Sequence, residues 1–282
     1  MYAWIAGYGQ EPEYYALGIE AAGKVIGDPN YRLVASPEEV CTEVLAGNSA
    51  EGIFELCYDD SRGEYKDFGS YIGGTVEKWP VLKGTTPASR RKFFIRNGTV
   101  ERLYTPEDLR LQAYFADFFR MKEEPVSVTQ GAAYVRMWRE GEYYSGGIYD
   151  GTPRTLLAND ILIRLPDILL LRAEMKAATG DREGAVADLD VVRRRAGVAG
   201  YSEAEGDLRR AIQLERDREL LFQTGVRYFD YMRNHTYNLL KGGFRDLTET
   251  DVAAGALFLP VSLDAMNNNP KVKQTAYWVG KF

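Results

Sequence analysis

Cysteine and histidine are nearly missing from this chain: its 282 residues include two cysteines, Cys41 and Cys57, and one histidine, His235. A single histidine excludes a histidine cluster for metal, and the cysteines lack metal-ligand spacing. A Ser-His-Asp catalytic system would have to run through His235. The surrounding "RNHT" places that residue just beyond a helix end, where a cation-forming side chain serves as a cap or a surface group. The cysteines read as small buried hydrophobes. A disulfide between them would need an oxidising compartment, and a chain of this size does not depend on one. Neither cysteine follows the apolar run that a lipid-carrying cysteine requires.

Other absences narrow the function further. No apolar run of about 18 residues exists to span a membrane. The opening "MYAWIAGYGQEPEYY" has neither a basic leader nor a long apolar stretch, so it does not read as a secretory signal. A net charge of -6 argues against nucleic acid as a partner, because phosphate contact needs clustered Lys and Arg. The basic runs Ala88 to Lys92 and Arg193 to Gly197 are short and read as solvated turns or helix ends. There is no Gly-x-Ser-x-Gly, P-loop or dinucleotide fingerprint, and "GSYIGG" at Gly69 to Gly74 lacks the strand-helix setting of a phosphate cradle. Asp59, Asp60, Glu64 and Asp67 do not have EF-hand spacing and read as a solvated acidic loop. No cofactor and no metal are therefore expected.

What is present is mostly helical pattern, and the 45% hydrophobic content is ample for a large core. Pro12 is expected to open a helix with Tyr14, Leu17, Ala21 and Val25 on one stripe, stopped by Gly27 to Pro29. Ser36-Pro37-Glu38-Glu39 is a capping box with proline at the first helical position, and Gly47 ends the helix it starts. A strand follows over Glu51 to Tyr58. Pro166 suits a first helical turn, and Ile168, Leu169, Ala173 and Ala177 recur at helical spacing. Gly180-Asp181 breaks that helix. Ala185, Leu189, Val192 and Ala196 then continue at steps of four, three and four until Gly197 offers a left-handed cap. The pair is a helical hairpin with small residues at its seam, similar in length to one tetratricopeptide unit. Glu215 and Glu219 lie one turn apart on the side of Leu208, Ile212 and Phe222. With Arg216, Arg218 and Arg227 nearby, they suggest a partly buried ion-pair network rather than the paired carboxylates of a glycosidase.

Three segments in order carry a resemblance: "IRLPDILLLRAEMKAATGDREGAVADLDVVRRRAGV" from Ile163, "IQLERDRELLFQTGVRYFDYMR" from Ile212, and "LPVSLDAMNNNPKVKQTAY" from Leu259. Together they resemble the closing half of the RagB/SusD family, surface glycan-binding lipoproteins of Bacteroidetes. Asp108 to Arg110 is similar to the "D-x-R" that precedes the family's variable region. Ser262 stands where the last motif usually has proline, and Gln223 where the second usually has glutamate. The resemblance implies a mainly helical α+β fold of tetratricopeptide-like hairpins packed on a loop-rich half. It implies one domain over 1–282: a helical hairpin and strand over 1–58, a variable region over 59–150, and a helical region over 151–282. It also implies a non-catalytic receptor at the surface of the outer membrane. Such a receptor captures oligosaccharides for a TonB-dependent transporter of the SusC type. On this reading the chain begins partway through the family fold, after the signal peptide, lipid anchor and first hairpins.

The middle of the chain holds the candidate site. From Tyr58 to Tyr149 loops and short strands are expected, with Asn97-Gly98 as a two-residue hairpin. Thr105 to Asp108 should cap a helix reaching about Phe119. Tyr65, Tyr71, Trp79, Tyr104, Trp138, Tyr143, Tyr144 and Tyr149 stand here, many beside glycine or charge. Exposed rings stack on the flat C–H faces of sugars while neighbouring polar groups bind the hydroxyls; the alternative for each ring is packing in a core or hairpin. Tyr71, Trp79, Trp138 and Tyr143 are the expected ligand-binding residues. Two other classes remain: a helical interaction scaffold without a glycan site, and a glycoside hydrolase using inward carboxylates.

Overall fold

The computed structural model describes residues 1–57, 95–115, 132–133, 135, 137, 144–145, 155–156, 159–223, 225–239 and 246–281. Helix α1 (Tyr2–Gly7) packs on α2 (Tyr14–Ile26). The buried face of α2 lies one residue later than the expected stripe: Gly18 and Ala22 are buried, Tyr15 and Ile19 pack beside them against Met175, and Leu17 is 47% exposed. Close approach decides this register. A Cβ on Gly18 would stand 2.4 Å from the Met175 sulfur, so only the face with the smallest residues admits that neighbour.

Ser36 caps α3 (Pro37–Glu39) by accepting from the Glu39 amide at 3.2 Å. Glu39 reaches back to the Ala35 amide at 2.8 Å, one residue before the amide a standard capping box satisfies. The helix continues as a π-helical turn over Val40–Val44, and Gly47, with φ +103°, turns the chain away. Strand β1 (Gly52–Leu56) follows.

Short strands and helices come next. β2 (Ile95–Arg96) pairs antiparallel with β3 (Ala132–Ala133), and β4 (Tyr144–Ser145) pairs with β5 (Thr155–Leu156). Asn97-Gly98 is not a hairpin turn: it opens α4 (Asn97–Leu103), because Val100 and Leu103 are buried at helical spacing. The Asp108 side chain caps α5 (Leu109–Tyr114) as expected, yet that helix stops before Phe119. Phe115 is already extended (φ −126°, ψ 138°) and bridges to Val135.

β6 (Asp160–Arg164) pairs antiparallel with β1, with Gly52 opposite Arg164 and Leu56 opposite Asp160. The chain therefore leaves at Leu56 and returns at Asp160 to the same place. α6 (Leu165–Ala178) and α7 (Arg182–Arg195) form the expected hairpin, broken at Gly180 (φ +87°), capped by Asp181 on the Gly184 amide at 2.9 Å and ended by Gly197 (φ +71°). Ala173, Ala185, Leu189 and Val192 are fully buried at its seam, with Ala177 packed against them. α8 (Leu208–Glu219), capped by Asp207, lays Leu208 and Ile212 on the same core. Burial of side chains such as Leu189 and Ile212 contributes roughly 1.5–3 kcal/mol each. α9 (Val226–Arg233), α10 (Glu249–Ala253) and α11 (Leu263–Asn268) complete a mainly helical α+β fold.

Candidate functional site

Tyr71, Trp79, Trp138 and Tyr143 lie outside the described residues, as do Tyr65, Tyr149, the acidic Asp59 to Asp67 stretch and the basic Ala88 to Lys92 run. All four candidate sugar contacts fall in sequence between Leu56 and Asp160, the segment whose ends β1 and β6 bring together. Tyr104, one of the other aromatics of the middle segment, takes the core alternative. It is buried against Tyr114 and Phe115, and its hydroxyl donates to the Arg218 carbonyl at 2.8 Å. That ring is core.

Where β1 and β6 meet lies a buried charge network. Arg164, the last residue of β6, donates to Glu51 at 2.7 Å, to Glu219 at 2.5 Å and to Gln223 at 2.8 Å. Arg195 joins the same two carboxylates, Glu51 at 3.2 Å and Glu219. Arg110 forks onto Asp108 at 2.8 and 2.9 Å and reaches Glu215 at 2.7 Å and Glu219 at 3.3 Å. Arg193 holds Glu205 at 2.8 Å and lies 3.4 Å from Glu215. A second cluster joins Arg216 to Asp167 and Asp230, and Arg233 to Glu174 and Asp230. One guanidinium thus ties together elements far apart in the chain, which a lone buried charge could not do without a large desolvation cost.

The network sets the carboxyl ionisation. Burial alone would raise the pKa of Glu219, but Arg195, Arg164 and Arg110 outweigh it and hold the group down to about 2. Glu174 is also lowered: Arg233 overcomes the effect of burial. Asp217 moves the other way, raised by burial despite Arg227 and the Tyr231 hydroxyl. A general acid at neutral pH needs a proton near that pH, and Glu219 holds none.

Two expectations change here. The run Arg193 to Gly197 is not solvated: Arg193 and Arg195 are buried and only Arg194 points to solvent, because the partners arrive from other elements. Cys41 is buried with its thiol toward the Ala113 carbonyl at 3.5 Å, whereas Cys57 is exposed where β1 ends; neither forms a disulfide. His235 does lie beyond a helix end and is exposed, with φ +54°. A shallow pocket of about 720 Å³ opens between Pro260 to Met266 and Gln274 to Gly280. The Gln274 amide is committed beside it, accepting from the Val261 amide at 3.2 Å and donating to its carbonyl at 3.0 Å.

The sequence profile of the SusD family matches residues 50–278. The chain belongs to the SusD family. No curated protein sequence matches it. Among solved structures it is similar to a SusD homologue from Bacteroides thetaiotaomicron, with TM-score 0.79 and 22% identity over 98% of this chain and 57% of that one. It is also similar to surface glycan-binding protein A from Bacteroides thetaiotaomicron in complex with laminarihexaose, with TM-score 0.71 and 20% identity over 98% and 62% of the two chains. A third is NanU of B. fragilis, with TM-score 0.68 and 20% identity over 97% and 60%. The chain spans about three fifths of the length of these structures.

Within this SusD-family chain the quoted motifs are a frame. Arg164, Glu174, Arg193, Arg195, Glu215, Arg216, Glu219, Asp230 and Arg233 are buried and paired with one another or with Glu51, Asp108 and Asp167. The departures are absorbed: Gln223 accepts from Arg164, and Ser262 caps α11 by accepting from the Ala265 amide at 3.2 Å. Sequence reading missed an aromatic tier at the other end of the helical layer, formed by Trp4, Tyr8 and His235. Its only local signal was an aromatic at positions 4 and 8, one helical turn apart.

Proposed function

We propose that this chain acts as a non-catalytic receptor at the cell surface. It captures oligosaccharides at the outer membrane and passes them to a TonB-dependent transporter of the SusC type. Family membership supports the class, and a structural relative named as a surface glycan-binding protein has been solved with laminarihexaose. The observation that carries the non-catalytic part is the setting of Glu215 and Glu219. Both are fully buried and ion-paired to arginines, out of reach of a polysaccharide, and Glu219 is ionised down to about pH 2, so it holds no proton for a glycosidic oxygen.

The sugar contacts are then Tyr71, Trp79, Trp138 and Tyr143. Residues 1–58 and 151–282 form the frame of a single domain, and 59–150 carries its ligand face. Rings stack on pyranose faces, and Glu77 and Lys78 beside Trp79 supply polar partners. No helix among the described residues is long and apolar enough to cross a membrane.

A glycan array followed by titration calorimetry on the whole chain tests this reading. Binding of at least one oligosaccharide without release of reducing ends is expected. Reducing ends that appear with the pure protein and vanish in Glu215→Gln or Glu219→Gln would make it an enzyme. Absence of any bound glycan would favour an interaction scaffold.

A further inference from the structure

The end of α9 is closed by a residue that the local backbone does not favour. The His235 amide donates to the Met232 carbonyl at 3.2 Å and the Thr236 amide to the Tyr231 carbonyl at 3.0 Å, the paired bonds of a Schellman ending. The left-handed position of that motif is held by His235 at φ +54°. Glycine adopts this conformation without the penalty that a Cβ incurs. The imidazole it carries is placed with care: it lies nearly parallel to the Tyr8 ring, 8° between planes and 5.8 Å between centroids, while its Nε2 is 3.3 Å from the Gly7 carbonyl.

Tyr8 in turn stacks on Trp4 at 4.8 Å, and Phe229 meets Trp4 edge-on at 6.0 Å. The approach of α1 to α9 that permits this depends on Gly7, where a Cβ would stand 2.8 Å from the Arg233 carbonyl oxygen. Trp4 and Tyr8 are half-buried, His235 is exposed and Phe229 is 50% exposed. Among the described residues, the Trp4 indole N–H, the Tyr8 hydroxyl and the His235 Nδ1 make no hydrogen bond. The tier therefore presents flat rings, one held in a strained backbone conformation, together with three unused hydrogen-bonding groups. None of the three is among the buried polar atoms without a partner, so the rings carry polar groups open to solvent at their edges, the combination a sugar face and its hydroxyls can use.

We infer that the Trp4–Tyr8–His235 tier is a second carbohydrate-contact site, which takes a pyranose ring against the exposed His235 imidazole and the open parts of the half-buried Tyr8 and Trp4 rings, and bonds sugar hydroxyls through the ring heteroatoms. The ligand class rests on the proposed function, but the site is separate from Tyr71, Trp79, Trp138 and Tyr143. A bare protein-docking face would gain nothing from the unpaired ring N–H and O–H groups, which become costly if buried without partners. A sugar supplies a hydroxyl for each.

His235 is the only histidine, so its imidazole C–H signals report on this tier alone by NMR. Laminarihexaose, maltohexaose and cellohexaose are titrated into the whole chain, into Trp79→Ala and into His235→Gly, with calorimetry in parallel. The imidazole signals are expected to move and saturate with at least one hexaose in the wild type and in Trp79→Ala. His235→Gly should keep its melting temperature, since glycine suits the position, and weaken the tier's affinity about tenfold, as removal of a ring anchor does. Tyr8→Ala should act alike. Heat of binding with unmoved imidazole signals would overturn the tier while leaving the proposed function standing. Signals that move with protein concentration and ignore sugar would make the tier an interface between copies and overturn the inference too. Silence in both measurements with all three hexaoses would remove the tier as a site for them.

Discussion

Arg164 and Glu51, 113 positions apart in the chain, meet with Nη1 2.7 Å from Oε1 while both side chains are buried. The contact lies where β1 and β6 begin and end, at the Gly52 and Arg164 pairing. It joins the segment before the variable region to the segment after it. The same guanidinium reaches Glu219 and Gln223, so the last helices are fixed to that closure as well. The segment between Leu56 and Asp160 is thereby fixed at its two ends by charges in the interior.

Removing Arg164 should be severe. Arg164→Ala leaves Glu51 and Glu219 with less compensation inside the protein, and loss of one partner of a buried pair costs about 3–5 kcal/mol. Urea denaturation of the variant should show its midpoint far below wild type. A midpoint within error of wild type would mean that the network is not what holds β1 to β6.

The network also predicts an acid limb. Glu219 has a folded pKa of about 2 against an ordinary 4.5. A depressed carboxyl contributes stability that is fully present above 4.5 and is lost as pH falls through about 2. The shift corresponds to on the order of 3 kcal/mol. Glu174 acts in the same direction; Asp217, raised by burial, favours the folded state at low pH and partly offsets them. Urea midpoints measured from pH 6 down to pH 3 should fall, and Glu219→Gln should flatten that fall. Parallel curves for the two proteins would assign the acid limb to other groups.

How much of this was legible depended on how local the determinants are. The hairpin of α6 and α7 was readable because its breaks and caps, Gly180, Asp181 and Gly197, act within a turn of their own position. The inward face of Glu215 and Glu219 was readable from helical spacing. Arg193 and Arg195 were not, since a charge run looks solvated until its partners are known, and Glu51 lies 144 positions from Arg195. The face of α2 slipped by one residue because Met175, on another helix, selects Gly18 rather than Leu17. Asn97-Gly98 carried a strong turn signal, yet burial of Val100 and Leu103 recruited it into a helix. Tyr71, Trp79, Trp138 and Tyr143, proposed as sugar contacts on composition and loop chemistry, lie outside the described residues.

The hairpin seam gives a third test. Ala185 is fully buried between α6 and α7 beside Ala173, Leu189 and Val192. Ala185→Leu adds volume where none is free and should cost about 1–3 kcal/mol. The denaturation midpoint reads this directly. An unchanged midpoint would show that the seam can open to admit the larger side chain.

The last prediction concerns Trp79, whose two roles have opposite signatures. The segment "SYIGGTVEKWP" places it between Lys78 and Pro80, with Gly73 and Gly74 a few residues earlier. As a sugar anchor, Trp79→Ala should leave folding nearly intact and weaken oligosaccharide binding by about 1–3 kcal/mol, because truncating an aromatic hot spot removes contact area that forms only with ligand. As a core residue, it should cost about 3–5 kcal/mol of stability through the cavity left behind. A thermal melt and a calorimetric titration on the one variant separate the cases. The expected result is a melting temperature close to wild type with affinity reduced about thirtyfold, the middle of that range. A large drop in melting temperature, or an affinity equal to wild type, would take Trp79 out of the site and leave Tyr71, Trp138 and Tyr143 to be tested in the same way.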